Sequence, residues 1–151
     1  MTELASKLVA GAKDWASKYG DFTQGEEATA YTVPLRIIGA WDNNDADGVA
    51  DVFIENGSWL AGDEQLKGRE AIRTYLRETF AGPYRGSRSV QTPLKVKLIT
   101  DDVALAVTDG GVLYKDEDEL PADRVMRATW IMVKQDGDWH AVSYQSSPVK
   151  G

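Results

Sequence analysis

The chain has 151 residues, enough for one domain that buries roughly two-thirds of its unfolded surface. Its 42% hydrophobic and 27% charged residues are ordinary for a globular protein, and no run approaches the ~18 consecutive apolar residues of a membrane span. With no cysteine and one histidine, His140, disulfides, thiolate chemistry and multi-histidine metal centres are excluded, and a net charge of −7 without clustered bases argues against nucleic acid.

Residues 1–25 differ from the rest. Leu4, Leu8, Ala12, Trp15, Ala16 and Tyr19 recur at helical spacing before the breaker-rich stretch Gly20–Gly25, so this arm reads as a loosely docked tail or an amphipathic helix for a partner. Met1–Lys7 has neither the basic start nor the apolar core of a secretory signal, and a cytoplasmic location with no membrane partner is expected.

From Glu26 to Asn43 the spacing predicts a helix with Tyr31, Leu35, Ile38 and Trp41 on one stripe. Pro34 places its start or a kink there. Asp45 is suited to cap a second short helix reaching Phe53. Gly57 then breaks the chain before a short strand, Ser58–Ala61. A third helix follows Gly68, with Ile72, Leu76 and Phe80 on one face, and Gly82-Pro83 ends it.

The remainder reads as strands: Val90–Thr100, Val103–Tyr114, Arg124–Lys134 and Trp139–Ser146. Asp101-Asp102 separates the first two, and Asp136-Gly137 marks a hairpin between the last two. Lys115–Glu119 is expected to be a solvated loop tip. Helices ahead of an antiparallel meander predict an α+β fold, three helices covering one face of a strongly bent, mostly antiparallel sheet.

Few motifs carry chemistry. Asn43-x-Asp45-x-Asp47-Gly48 resembles part of a calcium loop, but its first position is asparagine and its twelfth is Ile54 where glutamate should stand, so no metal site is expected. Phosphate loops and dinucleotide fingerprints are absent, Gly82–Gly86 included, and no cofactor is expected. Asp109 shares a strand face with Val103, Leu105, Val107 and Leu113 by the period-two rule. It is a base of raised pKa, the partner of a cation such as Arg127, or a residue displaced by a bulge at Gly110-Gly111. His140 shares a face with Val142 and Tyr144, pointing inward or sitting beside the turn. With Asp63 these are the candidate catalytic residues. The stronger signal is aromatic: Trp41, Trp59, Tyr75, Tyr114, Trp130 and Tyr144, with Gln145 nearby, form a candidate lining for a planar, apolar ligand.

Val33-Pro34-Leu35-Arg36-Ile37-Ile38-Gly39-Ala40-Trp41 with Asp45-Ala46-Asp47, Leu66-Lys67-Gly68-Arg69-Glu70-Ala71-Ile72, Arg127-Ala128-Thr129-Trp130 and Asp136-Gly137-Asp138-Trp139 together resemble SnoaL-like proteins, which share the fold of nuclear transport factor 2 and the ketosteroid isomerases. The chain is most similar to the SgcJ/EcaC-type branch and its enediyne-biosynthesis members, over about residues 28–148. The resemblance implies a cone-shaped barrel, an apolar cavity, homodimerisation through the outer sheet face, and a role with a polyketide intermediate. That role is to hold the intermediate, to isomerise, cyclise or dehydrate it without a cofactor, or to dock on a polyketide synthase. The tyrosine and carboxylate of the isomerases fall on Ile37 and about Ala61, with Asp63 displaced toward the loop, so their chemistry does not transfer.

Overall fold

The computed structural model describes residues 25–150; the expected amphipathic helix of the arm lies outside them. Helices α1 (Gly25–Ala30), α2 (Thr32–Asp42) and α3 (Ala46–Ala50) precede strands β1 (Phe53–Ala61) and β2 (Glu64–Lys67). Helix α4 (Arg69–Phe80) leads into β3 (Arg88–Thr100), β4 (Val103–Leu113), β5 (Met126–Gln135) and β6 (Asp138–Pro148), with a 3-10 turn at Ala122–Arg124. The sheet runs β2-β1-β6-β5-β4-β3. Only β1–β6 is parallel; the other ladders are antiparallel. The fold is the expected α+β arrangement, its sheet curled in keeping with the expected cone and not closed on itself.

The long helix expected over Glu26–Asn43 is two helices. Pro34 has no N–H to give the Ala30 carbonyl and its ring crowds that oxygen; α1 accordingly ends at Ala30, and α2 begins at Thr32 with Pro34 in its first turn. The restart rotates the buried face. Val33, Ile37 and Trp41 enter the core, whereas Leu35 and Ile38 of the expected stripe are half-buried. Asp45 caps α3 as expected, its Oδ1 accepting from Gly48 N at 2.9 Å. The helix stops at Ala50 and Phe53 already belongs to β1.

Gly57 does not interrupt β1, which runs through it. The β1–β6 register slips between Phe53 and Ser58, and this irregularity absorbs the glycine. Strand β2, not anticipated from the sequence, closes a hairpin through Gly62-Asp63, Gly62 having a left-handed φ of +63°. The Asp136-Gly137 turn is as expected, with φ of +52° and +82°, the geometry favoured between paired strands.

Across β4, β5 and β6 one face carries Ala104, Ala106, Thr108, Ala128, Trp130, Met132, Trp139 and Ala141, all buried. It packs against α2 and α4 together with Ile72, Leu76 and Phe80 of the latter. The opposite face, with Val103, Leu105 and Val107 half-buried, is the outer one. Strands β3 and β4 approach so closely at Gly110 that a Cβ there would run into the Val90 carbonyl oxygen and crowd Gln91 Cα. Backbone cannot yield as a side-chain tip would. Gly110→Ala is therefore expected to lower unfolding free energy by at least about 2 kcal/mol, read as a lower urea midpoint at constant slope.

Candidate functional site

Between the helices and the inner sheet face lies a cavity of about 280 Å³. Its wall draws on several elements: Trp41 from the last turn of α2, Trp59 and Ala61 from β1, Tyr75 from α4, and Trp130 and Tyr144 from neighbouring positions of β5 and β6. Aromatic rings meet edge to face, the arrangement their charge distribution favours. Trp59 stands 5.6 Å from Tyr144 at 87° and 5.9 Å from Tyr75 at 73°. Trp130 meets Tyr144 at 4.4 Å, and Trp41 contacts Trp59, Phe80 and Tyr84 at 5.9, 5.0 and 5.3 Å.

Buried indole N–H groups need acceptors, and the sheet supplies them. Trp41 Nε1 donates to Ser87 Oγ at 2.9 Å. Trp130 Nε1 donates to Thr108 Oγ1 at 3.0 Å, and that hydroxyl donates to Gln91 Oε1 at 2.7 Å. The Gln91 amide nitrogen reaches only Ser89 Oγ, at 3.4 Å. Both Ser89 and Gln91 line the cavity.

Six of the seven candidate lining residues, Trp41, Trp59, Tyr75, Tyr114, Trp130 and Tyr144, are brought together here. Gln145 is not: it is exposed on the outer face, opposite Thr129. The candidate catalytic residues also lie elsewhere. Asp109 is on the outer face opposite Arg127, held by two hydrogen bonds of 2.8 and 3.0 Å. Those bonds, with the cation behind them, keep its carboxyl below the usual range, so of the readings open in the sequence it is the partner of Arg127 rather than a carboxyl of raised pKa. His140 pairs with Val133 beside the β5–β6 turn, between the buried Trp139 and Ala141. Its Nδ1 is buried with no partner among the described residues. Val142 is an extra residue between the Ile131–Ser143 and Met132–Ala141 pairs. It reverses the alternation, so Tyr144 faces the cavity while His140 faces away. Asp63 is exposed in the β1–β2 turn. Ile37 and Ala61, where the isomerase catalytic groups would align, do line the cavity, and neither carries an ionisable group.

Among the described residues no carboxylate or imidazole lines the cavity, and the one charged lining residue is Arg124. This side chain was not anticipated. The segment that carries it lies close over β4, where a Cβ at Gly111 would press within 3.1 Å of the Leu120 side chain and 3.2 Å of the Arg124 carbonyl. Lys115–Glu119 is accordingly more than a solvated tip: Glu117 accepts from Tyr114 N at 2.7 Å and from Arg124 at 2.6 and 3.0 Å. The Arg124 guanidinium also lies 4.6 Å from the Tyr114 ring centre, a cation–π distance. Tyr84, in the loop after α4, stacks on Tyr114 at 6.2 Å. The signal that would have found these residues is long-range, since nothing near Glu117 or Tyr84 in sequence marks them.

The calcium-like segment is engaged otherwise, Asp45 as a helix cap and Asp47 with Arg73 and Arg77 at 2.8 and 2.7 Å. Among the described residues no group of three or more acidic, histidine or cysteine side chains is placed to hold a metal. No helix among them is long and apolar enough to cross a membrane.

Tyr75 and Tyr84 share a hydrogen bond. Burial, reinforced by Tyr75 and Tyr114, pushes the Tyr84 phenol up to about 12. Burial also raises Tyr75 and Tyr144. All three remain neutral donors at physiological pH. Unfolding would restore Tyr84 to its ordinary value of 10.0, so the unfolded chain loses this proton first as pH rises. Stability should then fall from about pH 10 and level off above about 12. Absorbance titration of phenolate in the folded protein should show late-ionising tyrosines, and Tyr84→Phe should remove the one that ionises near pH 12.

Residues 32–150 match the SnoaL-like domain family. No curated protein sequence matches the chain. Among solved structures, a cystatin-like-fold domain of unknown function from Nostoc punctiforme superposes with a TM-score of 0.72 at 22% identity, covering 81% of this chain and 75% of that one. A nuclear transport factor 2-like protein from Novosphingobium aromaticivorans gives 0.68 at 20%, over 100% and 91% of the two chains. A protein from the same organism assigned as a scytalone dehydratase gives 0.66 at 17%, over 82% and 84%. These likenesses establish the fold, and with the match over residues 32–150 they place the chain in the SnoaL-like family.

Proposed function

We propose that the protein is a small-molecule-binding accessory of polyketide biosynthesis, of the enediyne type in its closest resemblance, holding a planar apolar intermediate in the cavity. The observation that carries the reading is the convergence of eight aromatic side chains on a space whose lining, among the described residues, has no carboxylate or imidazole. A space of about 280 Å³ is at the small end of ligand sites, which run roughly 300–1,000 Å³. Affinity there comes from buried apolar area, about 25 cal/mol per Å² before ordering costs. A cofactor-free isomerase, cyclase or dehydratase needs a positioned base, and Asp109, His140 and Asp63 are all outside the lining. Holding the intermediate is therefore favoured over transforming it.

The same reading gives the outer sheet face to assembly, as a homodimer or on a synthase, through half-buried Leu105, Val107 and Ile131. Leu105→Glu is expected to yield monomers in analytical ultracentrifugation, and an unchanged sedimentation coefficient would remove this face from the interface.

Incubation with a conjugated polyene, followed by extraction and mass analysis, tests the main claim. Tryptophan emission should be quenched and the polyene recovered with mass and spectrum unchanged. An altered mass would establish catalysis instead. Trp59→Ala, which strips one wall of the cleft, should weaken polyene binding by about tenfold or more, in the range of a binding hot spot.

A further inference from the structure

We infer that the cavity selects a neutral ligand bearing a conjugated carbonyl, a ketone or quinone, and orients that oxygen toward Arg124 and Gln91. The inference rests on the small-molecule reading above and names the ligand chemistry of that same site.

Two polar side chains of the lining, Arg124 and Gln91, present donors. Of the five N–H donors of a guanidinium, Arg124 commits three: two to Glu117 at 2.6 and 3.0 Å and one to the Val112 carbonyl at 3.0 Å. Its Nε–H and the second Nη1–H have no partner among the described residues. Gln91 is turned the same way. Its oxygen is occupied by the Thr108 hydroxyl, itself fixed by the Trp130 indole, so only its amide N–H₂ remains, engaged by one long contact of 3.4 Å to Ser89. A ligand that meets these donors must bring an acceptor. A hydrocarbon would offer these donors nothing, whereas an acceptor adds one or two hydrogen bonds.

Charge then separates acceptors into classes. A bare arginine would favour a carboxylate, but Glu117 already balances this one across a salt bridge. A ligand anion would surrender its hydration and meet Glu117 behind the guanidinium with little compensating attraction. A carbonyl oxygen takes the open N–H groups without that loss. Its ring system lies against the aromatic walls, and Tyr114, stacked beneath Arg124, holds the donor plane in position.

Three probes of matched size and different polar ends test this by tryptophan quenching and calorimetry: 2-acetonaphthone, 2-naphthoate and 2-ethylnaphthalene. The wild-type protein is expected to bind the ketone about fivefold or more tighter than either other probe, the scale of one or two hydrogen bonds. Arg124→Gln should bring ketone and hydrocarbon to within about twofold of each other. Glu117→Gln can still accept from Tyr114 N–H and Arg124 while losing the charge; it should shift preference toward naphthoate by about tenfold relative to the ketone. That gain is an outcome a merely structural role for Glu117 would not produce. Naphthoate binding tightest to the wild type, or three equal affinities, overturns the carbonyl assignment and leaves the small-molecule reading standing. No binding of any probe overturns both.

Discussion

Between the Ile131–Ser143 and Met132–Ala141 pairs, the β5–β6 ladder accommodates one extra residue, Val142. Before it, Trp139 and Ala141 point toward the helices; beyond it, Tyr144 does. The β1–β6 register slips at the same level, between Phe53 and Ser58, so the irregularity crosses two neighbouring strands. Such bulges bend a strand and sharpen its twist. The aromatic walls enclose the space between this sheet and the helices. Without the reversal, the parity that turns Trp139 and Ala141 inward would turn Ser143 inward and Tyr144 outward, and a hydroxyl would stand in the cavity in place of the phenol.

A second constraint is satisfaction of the groups that the wall buries. Each lining indole N–H that sits deep is met by a hydroxyl on an adjoining strand or loop, Ser87 for Trp41 and Thr108 for Trp130. Ser87 and Thr108 are buried polar residues because of this duty. The relay from Trp130 through Thr108 orients Gln91, so a packing requirement in the core decides the polarity displayed in the cavity.

Much of the fold was legible in the sequence, because periodicity and turn chemistry are local. Ile72, Leu76 and Phe80 mark α4, Asp45 marks a cap, and Asp136-Gly137 marks a hairpin, each by interactions with near neighbours. The aromatic lining was legible for a related reason: large rings on core-facing positions have few other places to go. What escaped was long-range. Residue parity places Asp109 correctly along its own strand, but it puts His140 on one face with Tyr144, which the extra residue Val142 separates, and it does not reveal which face is inner. The choice depends on Val142 and on the helices across the sheet. Glu117 looks like one member of an acidic tip until the chain folds back and sets Arg124 beside it. Strand β2, four residues long, is too short to show an alternation.

The parallel pairing of β1 with β6 also bears on how the molecule is made. Ser58 and Ser143, partners in that ladder, are separated by 85 positions in the chain. Closing so long a loop carries an entropic cost that only the finished contact repays, and folds dominated by distant pairings form slowly. A chain emerging from the ribosome N-terminus first presents α2, α3 and β1 well before the strand they require. Until β6 arrives, Trp41, Trp59 and Tyr75 lack Trp130 and Tyr144 as neighbours, so a broad aromatic surface stands uncovered. The cavity is thus completed only when β6 pairs with β1.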